Sequence, residues 1–158
     1  MIQFEDQIMY KAERIAEFIL CLAELYGDTI TNLKLQKLLY YAQAWFLVNN
    51  NNERLFSDDI VAWQYGPVVE AVYNRFQIFG RTPIEIECNL DFDDISAEVQ
   101  QYLREFCQEF FRFSATELVG MTHNELPWNE AVKNGYGSVI NTDTMFKFYT
   151  DLLNQDEQ

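Results

Sequence analysis

Two stretches decide the fold: ITNLKLQKLLYYAQAW, residues 30–45, and IVAWQYGPVVEAVYNRF, residues 60–76. In the first and the two residues after it, Leu35, Leu38, Leu39, Ala42 and Phe46 fall at helical spacing, while Leu33, Tyr40, Tyr41, Ala44 and Leu47 cover much of the remaining circumference. A helix that is apolar nearly all round belongs in the middle of a fold rather than on its surface. Thr31 or Asn32 supplies the side-chain oxygen that caps it, and the tract Asn49, Asn50, Asn51, Asn52 ends it in a surface turn. In the second stretch, Ile60, Val61, Ala62, Trp63 and Tyr65 read as a short extended segment broken by Gly66. Pro67 then suits the first position of a helix carrying Val69, Val72, Tyr73 and Phe76, because its missing N–H has no intrahelical partner there.

Outward from this centre the pattern stays helical. Ile8, Ile15, Ile19, Leu22 and Tyr26 form one stripe, stopped by Gly27. Gly80 closes the helix after Pro67, and residues 84–87 read as a second short strand, giving a small hairpin beside the helices. Ser96 caps a helix with Val99, Leu103, Phe106 and Phe110, and Ser114 with Glu117 fits a capping box. Asn141 caps a last helix bearing Phe146, Tyr149 and Leu153, with Ile140 and Met145 as a hydrophobic staple. The expectation is a mainly α protein: one compact multi-helix domain over residues 1–158 around a central apolar helix, with one short β-hairpin and frayed termini at 1–7 and 154–158.

Composition sets the class. Apolar residues make up 49% and aromatics 16% of the chain, too much for disorder, and no apolar run approaches the roughly 20 residues a bilayer requires. The N-terminus carries acids where a signal peptide has bases, and Cys21, Cys88 and Cys107 are odd in number and widely spaced. Reduced thiols in a cytoplasmic protein are therefore expected. A net charge of -14 argues against direct nucleic-acid binding. The charge is unevenly spread: residues 31–83 hold five bases and four acids, +1, so the rest holds -15. Between Glu85 and Glu98 six acids occur without a base, interleaved with Ile86, Leu90, Phe92 and Ile95. Such a run reads either as a docking surface for a basic partner or as a solvated loop.

Catalytic constellations are scarce. His123 is the only histidine and no Cys-x-x-Cys pair exists, so neither a metal nor another cofactor is expected. There is no phosphate-cradling Gly-rich loop or nucleophile elbow. An enzyme working through His123 and an acid is the minor reading.

The first block, with Leu35, Gln36, Lys37, Leu38, Tyr40, Tyr41, Ala42, Gln43 and Trp45, continues into Ala62, Trp63, Tyr65, Gly66, Pro67, Val68, Tyr73, Phe76 and Gly80. A later block holds Thr122, His123, Pro127 and Trp128. Together they resemble the Panacea family, also described as SocA-like or GepA-like, found in bacterial antitoxins and phage-associated proteins. The resemblance extends over residues 8–150; it departs at Phe46, where the family often has His. It implies a helical antitoxin-like module, not an enzyme, that neutralises a cognate toxin by direct protein contact; in some members a protease receives the bound toxin. The alternative is a phage or prophage accessory protein of the same fold that binds a host or phage protein.

On this reading Gln36, Lys37, Tyr40, Tyr41 and Gln43 are the partner-binding candidates, with Lys37 offering its charge on an exposed helix face; the plainer alternative is a surface lysine paired with a local acid. Trp45, Trp63, Tyr65, Gly66, Pro67, Tyr73, Thr122, His123, Pro127 and Trp128 are read as motif residues that hold the fold, His123 by capping a short helix.

Overall fold

The computed structural model describes residues 9–88 and 91–156. The central helix of the sequence reading is α2 (Asn32–Asn49), which touches α1 (Ala12–Tyr26), α3 (Glu70–Phe76), α4 (Ala97–Phe110), α5 (Ala115–His123) and α7 (Thr142–Asp156). Leu35, Leu38, Leu39, Tyr40, Ala42, Ala44, Phe46 and Leu47 have no solvent exposure. Truncating any of the leucines to alanine would cost about 2–5 kcal/mol.

The boundary residues act as their chemistry requires. Thr31 Oγ accepts from Lys34 N at 3.3 Å, Ser96 Oγ from Val99 N at 3.2 Å and Asn141 Oδ1 from Thr144 N at 3.0 Å. Ser114 and Glu117 exchange two 3.0 Å bonds as a capping box. Gly27 ends α1 at φ 77°. The first N–H of α1 lacks a local cap and instead donates to Asp58 at 2.8 Å, from 46 residues away.

The hairpin lies elsewhere than expected. β1 (Val61–Trp63) pairs antiparallel with β2 (Gly66–Val68), Ala62 facing Pro67. Residues 84–87 form no strand; Ile84 N donates to Ile30 O at 2.8 Å. Gly66 turns the chain back at φ 106°, so Pro67 sits in a strand, not at a helix start, and α3 begins at Glu70. The other side of β1 is bound by residues 137–140, through Ala62 N to Ser138 O and Ile140 N to Ile60 O. α6 (Leu126–Val132) carries Pro127 near its start, and its Trp128 Nε1 donates to Trp63 O at 2.9 Å. α7 remains helical through Asp156, past the point where fraying was expected. Ile8 and residues 1–7, 89–90 and 157–158 lie outside the described residues.

The cysteine expectation is overturned. Cys21 on α1 and Cys88 form a disulfide with Cα atoms 5.7 Å apart, leaving Cys107 as the free, buried thiol. The Ile84–Ile30 bond brings the chain after α3 alongside α1, and a separation of 67 residues gave no local sign of it. The pairing removes the thiol argument for a cytoplasmic location. Among the described residues no helix is long and apolar enough to cross a membrane.

Candidate partner-binding cleft

The polar residues of the LQKLLYYAQAW block were expected on an exposed face, and the structure corrects this. Gln36, Lys37, Tyr40, Tyr41 and Gln43 are at most 1% exposed. Each answers a backbone or side-chain group that helices and strands leave open, and buried polar groups must be answered. Gln43 grips the irregular chain before β1: its Oε1 accepts from Leu55 N at 2.6 Å, and its Nε2 donates to Phe56 O at 2.9 Å. Gln36 Oε1 accepts from Val69 N at 2.9 Å, at the junction of β2 and α3. One turn earlier, Asn32 accepts from Gln36 Nε2 at 2.9 Å and donates to Tyr73 O at 3.1 Å.

Lys37 Nζ donates to Pro67 O at 3.0 Å, and no carboxylate pairs with it among the described residues. Burial pushes its ammonium down to a pKa of about 7. The lysine reaches Pro67 only because residue 66 is glycine: a Cβ there would stand 2.5 Å from Lys37 Cε and 3.1 Å from Thr122 Oγ1.

Tyr40 and Tyr41 follow Lys37 one turn further along α2, toward α7. Tyr149 donates to Glu125 at 2.9 Å, Tyr41 donates to the same carboxylate oxygen, and Tyr40 lies 2.9 Å from the Tyr149 hydroxyl. With the Tyr149 proton on Glu125, Tyr40 is the donor in that last bond. Burial raises the Glu125 carboxyl above its ordinary pKa, and the two tyrosine hydrogen bonds oppose that rise. Glu125 lies between the Thr122-His123 and Pro127-Trp128 pairs, and sequence reasoning passed over it.

Several of the residues read as structural are packed or hydrogen-bonded inside the fold. Thr122 is fully buried and donates to Val119 O at 2.8 Å. His123 occupies the last turn of α5 and stacks on Trp128 at 4.1 Å. Trp45 packs on Tyr149 at 5.5 Å. Tyr65 is the exception, at 65% exposed.

Tyr65 stands on the rim of a cleft of about 980 Å³. Asn32, Gln36 and Lys37 of α2 contribute to its lining, together with Trp63, Gln64 and Val68 of the hairpin region. Trp63 and Tyr73 meet edge to face at 4.8 Å on its wall. Leu33, Arg81 and Tyr136 complete the rim, and Tyr136 is 64% exposed. His123 is not among the residues that line this cleft. The sequence reading missed Asn32, Leu33, Arg81 and Tyr136 as cleft residues. The one sign available was an aromatic between two glycines in Gly135-Tyr136-Gly137, a turn with no core for the ring to join.

The cleft thus sets a buried polar floor from α2 beside two exposed tyrosines that stand on turns, Tyr65 and Tyr136. Residues 35–129 match the family model described as antitoxin SocA-like, Panacea domain, and the chain belongs to this family of antitoxins. It is 30% identical over 146 residues to antitoxin SocA of Caulobacter vibrioides (strain NA1000 / CB15N), covering 85% of this chain and 76% of that protein. No solved structure matches it.

Proposed function

We propose that this protein is the antitoxin of a toxin–antitoxin pair, and that it silences its cognate toxin by binding it stoichiometrically at the cleft between α2, the hairpin and the turn at residues 135–137. The observation that carries this reading is the exposure of Tyr65 and Tyr136 on the rim of a preformed cleft, in a chain whose other motif aromatics are packed or half-buried. Tyrosine supplies large contact area with little conformational entropy to lose, and such residues dominate interface energetics. Membership of an antitoxin family supports the choice of partner. The acidic run is a weaker candidate: Phe92 and Ile95 are buried, and Arg14 Nη2 binds Asp94 at 2.6 Å and the Asp91 carbonyl at 2.8 Å, which ties it to α1.

The test is co-expression with the adjacent open reading frame. Growth rescue should accompany a complex of fixed stoichiometry, measured by light scattering after size-exclusion chromatography. Tyr65→Ala combined with Tyr136→Ala should weaken that complex at least about tenfold and leave the unfolding midpoint unchanged, as expected for rim aromatics that pack on nothing inside. Rescue at far less than one antitoxin per toxin would replace this reading by catalysis or by delivery of the toxin to a protease.

A further inference from the structure

The chain carries 25 acidic residues, yet among the described residues no acid lines the cleft, whereas Lys37 and Arg81 both do. The floor also has more donors than acceptors. Lys37 has three N–H donors and spends one on Pro67 O. Among the described residues, the Gln36 amide spends one of its two N–H donors on Asn32, and Asn32 spends one of its two on the Tyr73 carbonyl. Their carbonyl oxygens, by contrast, are both engaged, that of Gln36 by Val69 N and that of Asn32 by Gln36. All three side chains are at least nine-tenths buried and line the cleft, whose occupant is the nearest source of acceptors for their spare donors. A donor surplus on a buried floor, with a cation at its centre and another at its edge, complements a group that is anionic and purely an acceptor.

We propose that the cleft floor is a carboxylate-recognition site, which receives an Asp or Glu side chain from a docking segment of the partner protein while the aromatic rim packs the apolar residues beside it. This rests on the reading of the cleft as the partner-binding face. The size of the cleft, several side chains across, suits a segment rather than a free small acid. Burial holds the Lys37 ammonium at a pKa of about 7, and an arriving carboxylate would raise it. Binding therefore takes up a proton above neutral pH, and affinity falls as pH rises. The other titratable or charged groups around the cleft are Arg81 and the hydroxyls of Tyr65, Tyr73 and Tyr136; Thr122, packed by Lys37 from α5, does not titrate.

The test uses the full-length protein and a displayed library of linear twelve-residue peptides, followed by calorimetry on the selected sequences. Selected peptides should share an acidic residue beside an aromatic or aliphatic one. Replacing that acid by its amide should weaken binding at least about tenfold, and capping the peptide's C-terminus as an amide should leave it unchanged. Lys37→Met should abolish the preference for acid over amide, and affinity should fall severalfold between pH 6.5 and 8.5. Arg81 is exposed and makes no ion pair among the described residues, so Arg81→Glu tests the same charge preference without touching the fold. Selection of basic or neutral peptides, equal binding of acid and amide, loss of binding on C-terminal capping, or wild-type affinity in Arg81→Glu would each overturn the proposal. Toxin rescue by co-expression is read separately: rescue with a neutral or basic docking segment sinks the carboxylate site and leaves the antitoxin, and acidic peptides bound without rescue do the reverse.

Discussion

Lys37 shows how much a residue's neighbours decide its role. On the sequence it is a helix lysine a turn from two tyrosines; in the fold it is a buried ammonium bonded to the Pro67 carbonyl, with its stem passing where a Cβ of residue 66 would be. Its charged form is penalised by burial in the folded state and not in the unfolded chain, whose ordinary value is 10.5. Between about pH 7 and 10.5 the unfolded chain therefore binds more protons, and this residue's contribution to stability rises with pH. From pH 6.5 to 8.5, urea denaturation should show wild type gaining about 1–2 kcal/mol on Lys37→Met, given about 1.4 kcal/mol per pH unit at full effect. A constant difference would mean that the ammonium is solvated. Gly66 gives a second residue-scale prediction. Its left-handed φ of 106° and the contact with Lys37 Cε should make Gly66→Ala lose about 2–5 kcal/mol, from backbone strain joined to overpacking. Gly120, inside α5 with nothing within 4 Å of a built Cβ, is the control: alanine there should stabilise by about 0.5–1 kcal/mol. Equal effects at the two sites would refute the close-approach argument.

At the scale of elements, α2, α4, α5 and α7 were legible because each carries its own start signal and stripe. Thr31, Ser96, Ser114 and Asn141 cap where their side chains allow, and the apolar circumference of α2 correctly put it at the centre. The hairpin was half legible. Gly66-Pro67 could start a helix or turn a strand, and what decides between them is Lys37 and Gln36 satisfying the returning backbone from α2, a contact 30 residues distant that no local pattern encodes. The same holds for the cleft: its tyrosines were visible as residues, but whether a tyrosine sits on a rim or in a core depends on which element covers it. Tyr40 is covered by α7, and Tyr65 is left 65% exposed. Least legible was the Cys21–Cys88 link, which ties α1 to the chain beyond α3 and closes a loop of about 67 residues. By chain entropy such a link contributes about 2–4 kcal/mol. Reduction under native buffer should lower the unfolding midpoint by several degrees, and Cys88→Ser should remove that sensitivity while Cys107→Ser preserves it. An unchanged midpoint on reduction would show that the packing of α1 already fixes this part of the chain.

The whole molecule is a strongly acidic body with a cleft that no acid lines among the described residues. Arg14 with Asp94 and Glu17, Arg75 with Glu13 and Glu17, and Arg54 with Asp59 pair several of the 11 bases, which leaves most of the 25 acids to repel one another. At low ionic strength that repulsion acts across much of the surface, and at 0.15 M salt it is screened beyond about 8 Å. We propose that residues 1–158 unfold as one domain, because α2 packs against elements drawn from both halves of the chain. Thermal melts should then show one cooperative transition whose midpoint rises by several degrees between 10 and 300 mM NaCl, since screening relieves the folded state more than the expanded chain. The same field bears on association. A toxin with a basic face should be drawn toward the acidic surface before an acidic segment of it enters the cleft, so its on-rate should fall steeply with salt while its dissociation rate stays nearly constant. A midpoint that drops with salt would mean that the surface ion pairs outweigh the repulsion. Two resolved transitions would divide the chain into separate units, and a salt-independent on-rate would remove the acidic surface from the encounter.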